Sequence, residues 1–432
     1  MNPRVAVVDG VGGGRWLTRE LTDRGADCVH VKSRPALEPY LDSGFRPDEY
    51  ALDLGYDHDV GRLATRLGNL GVAWVVAGHA GGAATAETLA RLTGLPGDDP
   101  DLAEARHDRQ AMARRLYEAG LDAPRGCLVT AADQAVAWFA DAELGAVGAV
   151  VRPADGAGAG TDRARFCADA AQVHAAVSAL LGTGGPGGSA NVSATVFGGA
   201  HHSVLVQERL AGAEFVVDTV SIDGVHLVAD TWRRVKEVRD LAATGTPISD
   251  FEEPADPAAP EVAAIHSYVL RALDALGVRH GAAHSRVVLT ARGPVLVDPG
   301  AGLGDDTLPW VAEKFLGYST VGLLAAGILQ PRDTLQRAAR LPERWPEPIR
   351  RVALINRRPG PVRPSPQWAG ALEALPTAVA VSAAAGAGME LPVTRGPGTS
   401  PGFVYLSAPD PQLIERDYLT IREWEQQGPY TG

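Results

Sequence analysis

Three segments that follow one another along the chain carry most of the chemistry its residue types offer. Arg106-His107-Asp108-Arg109 comes first, Val151-Arg152-Pro153-Ala154-Asp155-Gly156 second, and Val206-Gln207-Glu208-Arg209-Leu210-Ala211-Gly212-Ala213-Glu214 third. A cation at a strand end beside a glycine loop suits phosphate, because guanidinium donors pair with phosphate oxygens and backbone N–H groups in such a loop stay open to them. A carboxylate such as Glu214 suits ribose hydroxyls, and the backbone from Gln207 to Leu210 suits the edge of an adenine. That order fits a nucleotide.

Further segments extend the pattern: Met112, the loop Asp155 to Gly160 with Gly158, Trp232-Arg233-Arg234-Val235-Lys236, Gly281-Ala282-Ala283-His284, and Gly293-Pro294-Val295-Leu296-Val297-Asp298. Together they resemble the ATP-grasp superfamily, in particular the amino-acid and peptide ligases that form amide bonds in bacterial natural products. The resemblance covers most of the chain. It implies an α/β and α+β multidomain protein, with a nucleotide clamped between two lobes behind an N-terminal parallel α/β domain. It also implies ATP with two Mg²⁺ ions, small amino-acid-like substrates, and an ADP-forming ligation in which a carboxylate becomes an acyl phosphate that an amine attacks. By position, Arg109 and Arg152 replace the family's two ATP-contacting lysines, and Asp155, Gly156 and Gly158 belong to the loop over the phosphates. Gln207, Glu208 and Leu210 form the adenine hinge and Glu214 holds the ribose. Lys236, one of only three lysines beside Lys32 and Lys314, lies near the phosphates. His284, Arg286 and Lys236 stand at the catalytic positions and Asp298 at a metal position.

The chain departs from the pattern at the metal. Two residues past His284, where similar ligases carry a glutamate, stands Arg286; after Asp298 come Pro299, Gly300 and Gly302, where an Asn or small residue and then an arginine are common. Two unit charges 4 Å apart interact by about 4 kcal/mol at an effective dielectric of 20, so a cation in place of a carboxylate beside a divalent ion shifts the balance by several kcal/mol. Arg286 is expected either to contact phosphate or to pair with Asp298 across a hairpin. Asp305 and Asp306 are candidate replacement carboxylates or loop caps. Three readings follow: an active ligase, a degenerate ligase acting as a binding or scaffold protein, and a phosphoryl transferase to a small acceptor.

Other sites are less supported. Asp9-Gly10-Val11-Gly12-Gly13-Gly14 follows a strand and precedes a helix, but Arg15 stands where a dinucleotide fingerprint needs its third glycine, so a tight turn is expected. His201-His202 and His226 lack Cys or acidic partners at ligand spacing. No G-x-S-x-G elbow marks a hydrolase, and Trp232 reads as a half-buried aromatic or a pocket wall.

The elements that must position these residues begin with strand and helix signals in alternation: Val5 to Val8, Trp16 to Arg24, Cys28 to Val31, Val60 to Leu70, Val72 to Ala77 and Thr85 to Thr93. Such alternation predicts a parallel sheet. A helix is expected over Asp101 to Ala119, strands at Cys127 to Val129 and Ala149 to Arg152, and a disordered glycine-rich loop over 182–189. Ser203 to Gln207, Glu214 to Ile222 and Val225 to Asp230 read as strands, the last two joined at Asp223-Gly224. Pro254 to Pro260 reads as a linker, Glu261 to Leu276 as a helix, and Ala283 to Thr290 with Pro294 to Val297 as a hairpin. A Pro- and Arg-rich passage from Arg340 to Pro366, read as linker or interface, leads to a small α/β tail. The expected domains are 1–100 (parallel α/β), 101–200 (first lobe), 201–330 (second lobe) and 331–432 (tail).

Composition narrows the partners. The 432 residues are 45% hydrophobic and 21% charged, enough to bury cores, and 40 basic against 52 acidic residues give a net charge of −12. Nucleic acid and anionic membranes are therefore not expected. Three scattered cysteines, Cys28, Cys127 and Cys167, and the lack of a leader or long apolar run point to the cytoplasm. The assembly is left open, a homodimer being one form allowed.

Overall fold

The computed structural model describes residues 2–37, 41, 45–154, 164–182, 203–237, 248–304, 308–338, 341, 344–383 and 386–432. Its N-terminal sheet contains β1 (Arg4–Val8), β2 (Asp27–Lys32), β3 (Leu52–Tyr56) and β4 (Val72–Ala77), all parallel in the order β3-β2-β1-β4. Strands β1 and β2 are short apolar runs buried on both faces, as parallel strands covered by crossover helices must be. Helices Val60–Asn69 and Ala83–Thr93 close one face through Leu63, Leu67 and Leu89. Helix Gly13–Asp23 closes the other with Leu17 and Leu21, packed against helix Thr320–Leu329.

The early glycines serve this packing. A Cβ on Gly14 would lie 2.5 Å from the Gly78 backbone, and one on Gly13 would lie 2.7 Å from the carbonyl oxygen of Gly304. The cluster is therefore a tight βα turn, as expected.

A second, antiparallel sheet holds β5 (Gly126–Val129), β6 (Ala149–Pro153), β7 (Arg165–Cys167) and β8 (Val204–Glu208) in the order β5-β8-β6-β7. Helices Ala132–Asp141 and Ala170–Gly182 cover it through Phe139, Val173 and Val177.

The third sheet dominates the molecule. It adds β9 (Ala213–Ile222), β10 (Val225–Glu237), β11 (Ile248–Pro254), β12 (Gly281–Thr290), β13 (Gly293–Asp298) and β14 (Ile349–Ala353). After the two-residue β15 (Gly360–Pro361) come β16 (Ala378–Ala383), the two-residue β17 (Glu390–Leu391) and β18 (Gly402–Ser407). Its order is β13-β12-β9-β10-β11-β14-β18-β16, while β15 pairs with β17. Because side chains alternate along a strand, Phe215 and Val217 of β9 join Val287 of β12 and helix Pro260–Ala275 in an apolar core. Glu214 and Asp218 point to the opposite face.

Several expectations change here. The helix over Asp101 to Ala119 is two helices, Ala103–His107 and Arg109–Glu118, because Asp108 is extended and its carboxylate accepts the Ala111 N–H at 2.7 Å. That break sets Arg109 at the start of a helix. Strand β3 went unread, its Gly55 and alternating Asp53 hiding a half-exposed edge. Strand β10 continues past Asp230 to Glu237, carrying a charged segment with no apolar pattern into the sheet. The passage from Arg340 to Pro366 is more than a linker: β14 inserts between β11 and β18, with Arg350 paired to Glu253 and Glu415 and Arg351 paired to Glu252. Trp232 is fully rather than half buried, against Trp345 and Tyr405. Residues 183–189 of the glycine-rich loop, His201 and His202 lie outside the described residues. Among the described residues no helix is long and apolar enough to cross a membrane.

Candidate active site

The hairpin of β12 and β13 ends in a cluster of opposite charges. Arg286 and Asp298 face each other in register, and Arg109 reaches the same carboxylate from the start of its helix. Arg109 Nη2 donates to Asp298 Oδ2 at 2.7 Å, Arg286 Nη2 lies 3.6 Å from that oxygen, and the Gly300 N–H donates to Oδ1 at 3.0 Å. Burial alone would raise this carboxyl; the guanidinium groups of Arg109 and Arg286 outweigh it and bring its pKa down to about 2.

Arg152 enters from β6 in the other sheet. Burial, then the charges of Arg109 and Arg286, lower it to about 9, while Asp298 acts the other way. Its Nε is buried with no hydrogen-bond partner among the described residues. Guanidinium groups from three separate elements thus gather here, two of them paired with Asp298.

A ladder of ion pairs runs from this cluster across the same sheet face. Glu214 on β9 stands opposite Arg234 on β10, and it is paired with both Lys236 and Arg234. Arg234 also pairs with Glu252 on β11, which in turn pairs with Arg351 on β14. Burial works against the Glu214 charge, but Lys236, Arg234 and Arg286 prevail and hold its pKa at about 2. Burial lowers Lys236, opposed by Glu214. The series places six cations, Arg109, Arg152, Arg286, Arg234, Lys236 and Arg351, among three carboxylates, Asp298, Glu214 and Glu252.

One row along the strand, His284 Nδ1 lies 2.7 Å from Asp218 Oδ1. Asp230 stands opposite Asp218 in the β9–β10 register. Burial and then the Asp218 charge push Asp230 well above the ordinary carboxylate range, whereas at Asp218 burial is outweighed by His284 and the carboxyl is lowered. Trp232 Nε1 donates to Asp230 Oδ1 at 3.0 Å. Sequence reading missed Asp218, Asp230, Glu252, Arg234 as a pairing group, and Arg351. The signal for Asp218 was present: it stands four residues after Glu214 on a strand and so shares its face.

The hinge segment is braced by its own carboxylate. Gln207 and Glu208 are buried at the end of β8; Glu208 accepts from Arg125 Nε at 2.9 Å and from the guanidinium of Arg292 in the β12–β13 turn. Arg292 also donates to Asp122 at 2.5 Å. The Glu208 side chain therefore ties the hinge to both sheets, and only the backbone of this segment, running through the half-buried Leu210 toward Glu214, is suited to an adenine edge. Asp155, Gly156 and Gly158, together with Asp305 and Asp306, lie outside the described residues.

The segment after β13 is closed to larger side chains. Gly300 has φ of +52° and a Cβ there would lie 2.2 Å from the His284 carbonyl oxygen; Gly302 has φ of +122° and its Cβ would approach Ala80 N at 3.1 Å. Both glycines hydrogen-bond to β12, His284 N donating to Gly300 O and Gly302 N to Ala282 O, each at 2.8 Å. A magnesium pair needs several oxygen donors. Asp298 is committed to two guanidinium groups and an amide, and among the described residues no group of three or more His, Cys, Asp or Glu side chains is arranged to hold a metal ion. The described residues do not fit the magnesium pair that the resemblance implies, since Asp298, expected there as a metal ligand, is paired with Arg109 and Arg286. His226, weighed as a ligand, bonds to Ser221 Oγ at 2.7 Å and lies 3.3 Å from Asp274.

Comparison with solved structures identifies the class: the chain has the ATP-grasp fold. It matches the L-amino acid ligase of Bacillus licheniformis with a TM-score of 0.68 at 15% identity, over 98% of this chain and 97% of that one. An ADP complex of the N5-carboxyaminoimidazole ribonucleotide synthetase PurK matches with a TM-score of 0.67 at 13% identity, over 99% and 98%. In sequence the chain is similar to dapdiamide A synthase of Enterobacter agglomerans, 27% identical over 373 residues, covering 84% of this chain and 82% of that protein. No family profile matches the chain.

Proposed function

We propose that this protein is an ATP-dependent, ADP-forming carboxylate–amine ligase that joins amino-acid-like substrates in natural-product biosynthesis. One observation carries the reading: Arg109, Arg152 and Arg286 come close together from a helix and two different sheets, Arg286 on the strand paired with the one that carries Glu214. Similarity to an amino-acid ligase and to dapdiamide A synthase supports the substrate class. On this reading the lobes of residues 101–200 and 201–330 enclose the nucleotide, beside the domains of residues 1–100 and 331–432.

The three guanidinium groups hold the polyphosphate and stabilise charge on the transferring γ-phosphoryl group. The substrate carboxylate attacks the γ-phosphorus, the bond to the β–γ bridging oxygen breaks and ADP leaves. The amine then attacks the acyl carbon and expels phosphate. Lys236 lies toward the phosphates, Glu214 toward the ribose, and His284, its ring oriented by Asp218, is assigned the proton released by the amine.

A second reading, a ligase-shaped binding protein without turnover, draws on Arg286 at Asp298 and on the tightly packed Gly300 and Gly302. Incubation with ATP and paired amino acids, followed by ADP release and product mass, separates the two. Ligation gives ADP and an amide together; ADP without amide points to phosphoryl transfer to another acceptor, and neither product in the presence of bound ATP points to the binding protein.

A further inference from the structure

We infer that the cleft binds its adenosine polyphosphate free of divalent metal, with Arg286, Arg109 and Arg152 supplying the positive charge that magnesium would otherwise bring. The inference rests on the nucleotide reading above and specifies the form in which the nucleotide binds.

Four features support it. Asp298, the carboxylate nearest the three guanidinium groups, has both oxygens engaged, so a cation arriving there must displace Arg109 and Arg286. Gly300 and Gly302, which follow Asp298, bring no side-chain donor, and their backbone is bonded to β12 with no room for a side chain at Gly300. Among the described residues the cluster and its ladder bring six cations to three carboxylates, a balance that disfavours a divalent ion and favours a polyphosphate. Finally, the buried Nε of Arg152 has no hydrogen-bond partner among the described residues. An unpaired buried donor is costly, and a phosphate oxygen is the acceptor its geometry favours. The lowering of Arg152 toward 9 still leaves it charged at neutral pH.

Calorimetric titration of ATP and ADP into the full chain, in excess EDTA and in excess magnesium, tests the inference. Affinity in EDTA is expected to equal or exceed that in magnesium. Binding that appears only with magnesium overturns the inference while leaving the nucleotide reading intact, and absence of binding in both buffers overturns both. Arg286→Glu sharpens the result: affinity in EDTA should fall at least about tenfold and magnesium should restore part of it. An unchanged affinity in EDTA would overturn the role given to Arg286. Arg152→Gln, which leaves the hairpin intact, is expected to weaken binding in EDTA as well, and thermal unfolding of each variant without nucleotide shows that it is folded.

Discussion

Two rows on one face of the large sheet use charge in opposite ways. Arg286 and His284 are two residues apart on β12, so their side chains share a face about 7 Å apart. At the Arg286 row, Arg109 and Arg286 pair with one carboxylate, Arg152 adds its charge nearby, and the acid is held at about 2. At the His284 row, Asp218 pairs with the imidazole and stands opposite a second acid, Asp230, whose carboxyl is pushed well above the ordinary range. The first row has cation to spare and is suited to receive an anion; in the second, the raised Asp230 faces the lowered Asp218 within the sheet. Gly300 links them, giving its N–H to Asp298 and its carbonyl to the His284 N–H.

Removing the lone carboxylate of the first row should have the largest effect. Asp298→Ala leaves the guanidinium groups to repel one another, and a loss of about 4 kcal/mol in urea unfolding is expected, partly recovered by ATP without magnesium. A loss below about 1 kcal/mol would mean that the cluster is more solvated than its geometry implies. Gly300→Ala acts on both rows, since its Cβ meets the His284 carbonyl; roughly 3 kcal/mol is expected by the same measurement.

The second row should answer asymmetrically. Asp218→Asn removes the charge that His284 faces and should cost about 2 kcal/mol. Asp230→Asn replaces a protonated acid by an amide that can still donate to Asp218 and accept from Trp232, so less than about 1 kcal/mol is expected. Equal costs would contradict the proton placement.

The pH dependence of the two rows has opposite sign. The depressed Asp298 contributes stability that is present above its unfolded value, about 4, and is lost as pH falls toward about 2. The difference between wild type and Asp298→Ala should therefore shrink over that window. Asp230 is raised, so its contribution becomes unfavourable as pH climbs above about 4, and Asp230→Asn should gain on wild type over the same rise. Unfolding curves collected across pH check both directions.

How much of this was legible follows from what sets each feature. Local apolar runs announced β1, β2 and β4, and Asp223-Gly224 announced the β9–β10 turn, where both residues adopt positive φ. Arg109, Arg152, Glu214 and Lys236 were visible as residue types in order. Their partners were not, because pairings such as Glu252 with Arg351 join positions 99 apart that only sheet order brings together. The break at Asp108 turned on one side chain competing for an amide, and the path of β10 beyond Asp230 on ion pairs that replace an apolar pattern. Asp230 looked like a strand end; its raised carboxyl is a consequence of burial and of facing Asp218 inside the sheet.

The central claim is that Arg109, Arg152 and Arg286 form one polyphosphate site. Thermal unfolding of wild type and Arg152→Met, each with and without ATP, tests it most directly. ATP is expected to raise the wild-type midpoint and to raise that of Arg152→Met by clearly less at the same ATP concentration. An equal rise in both proteins, or none in wild type, would contradict it.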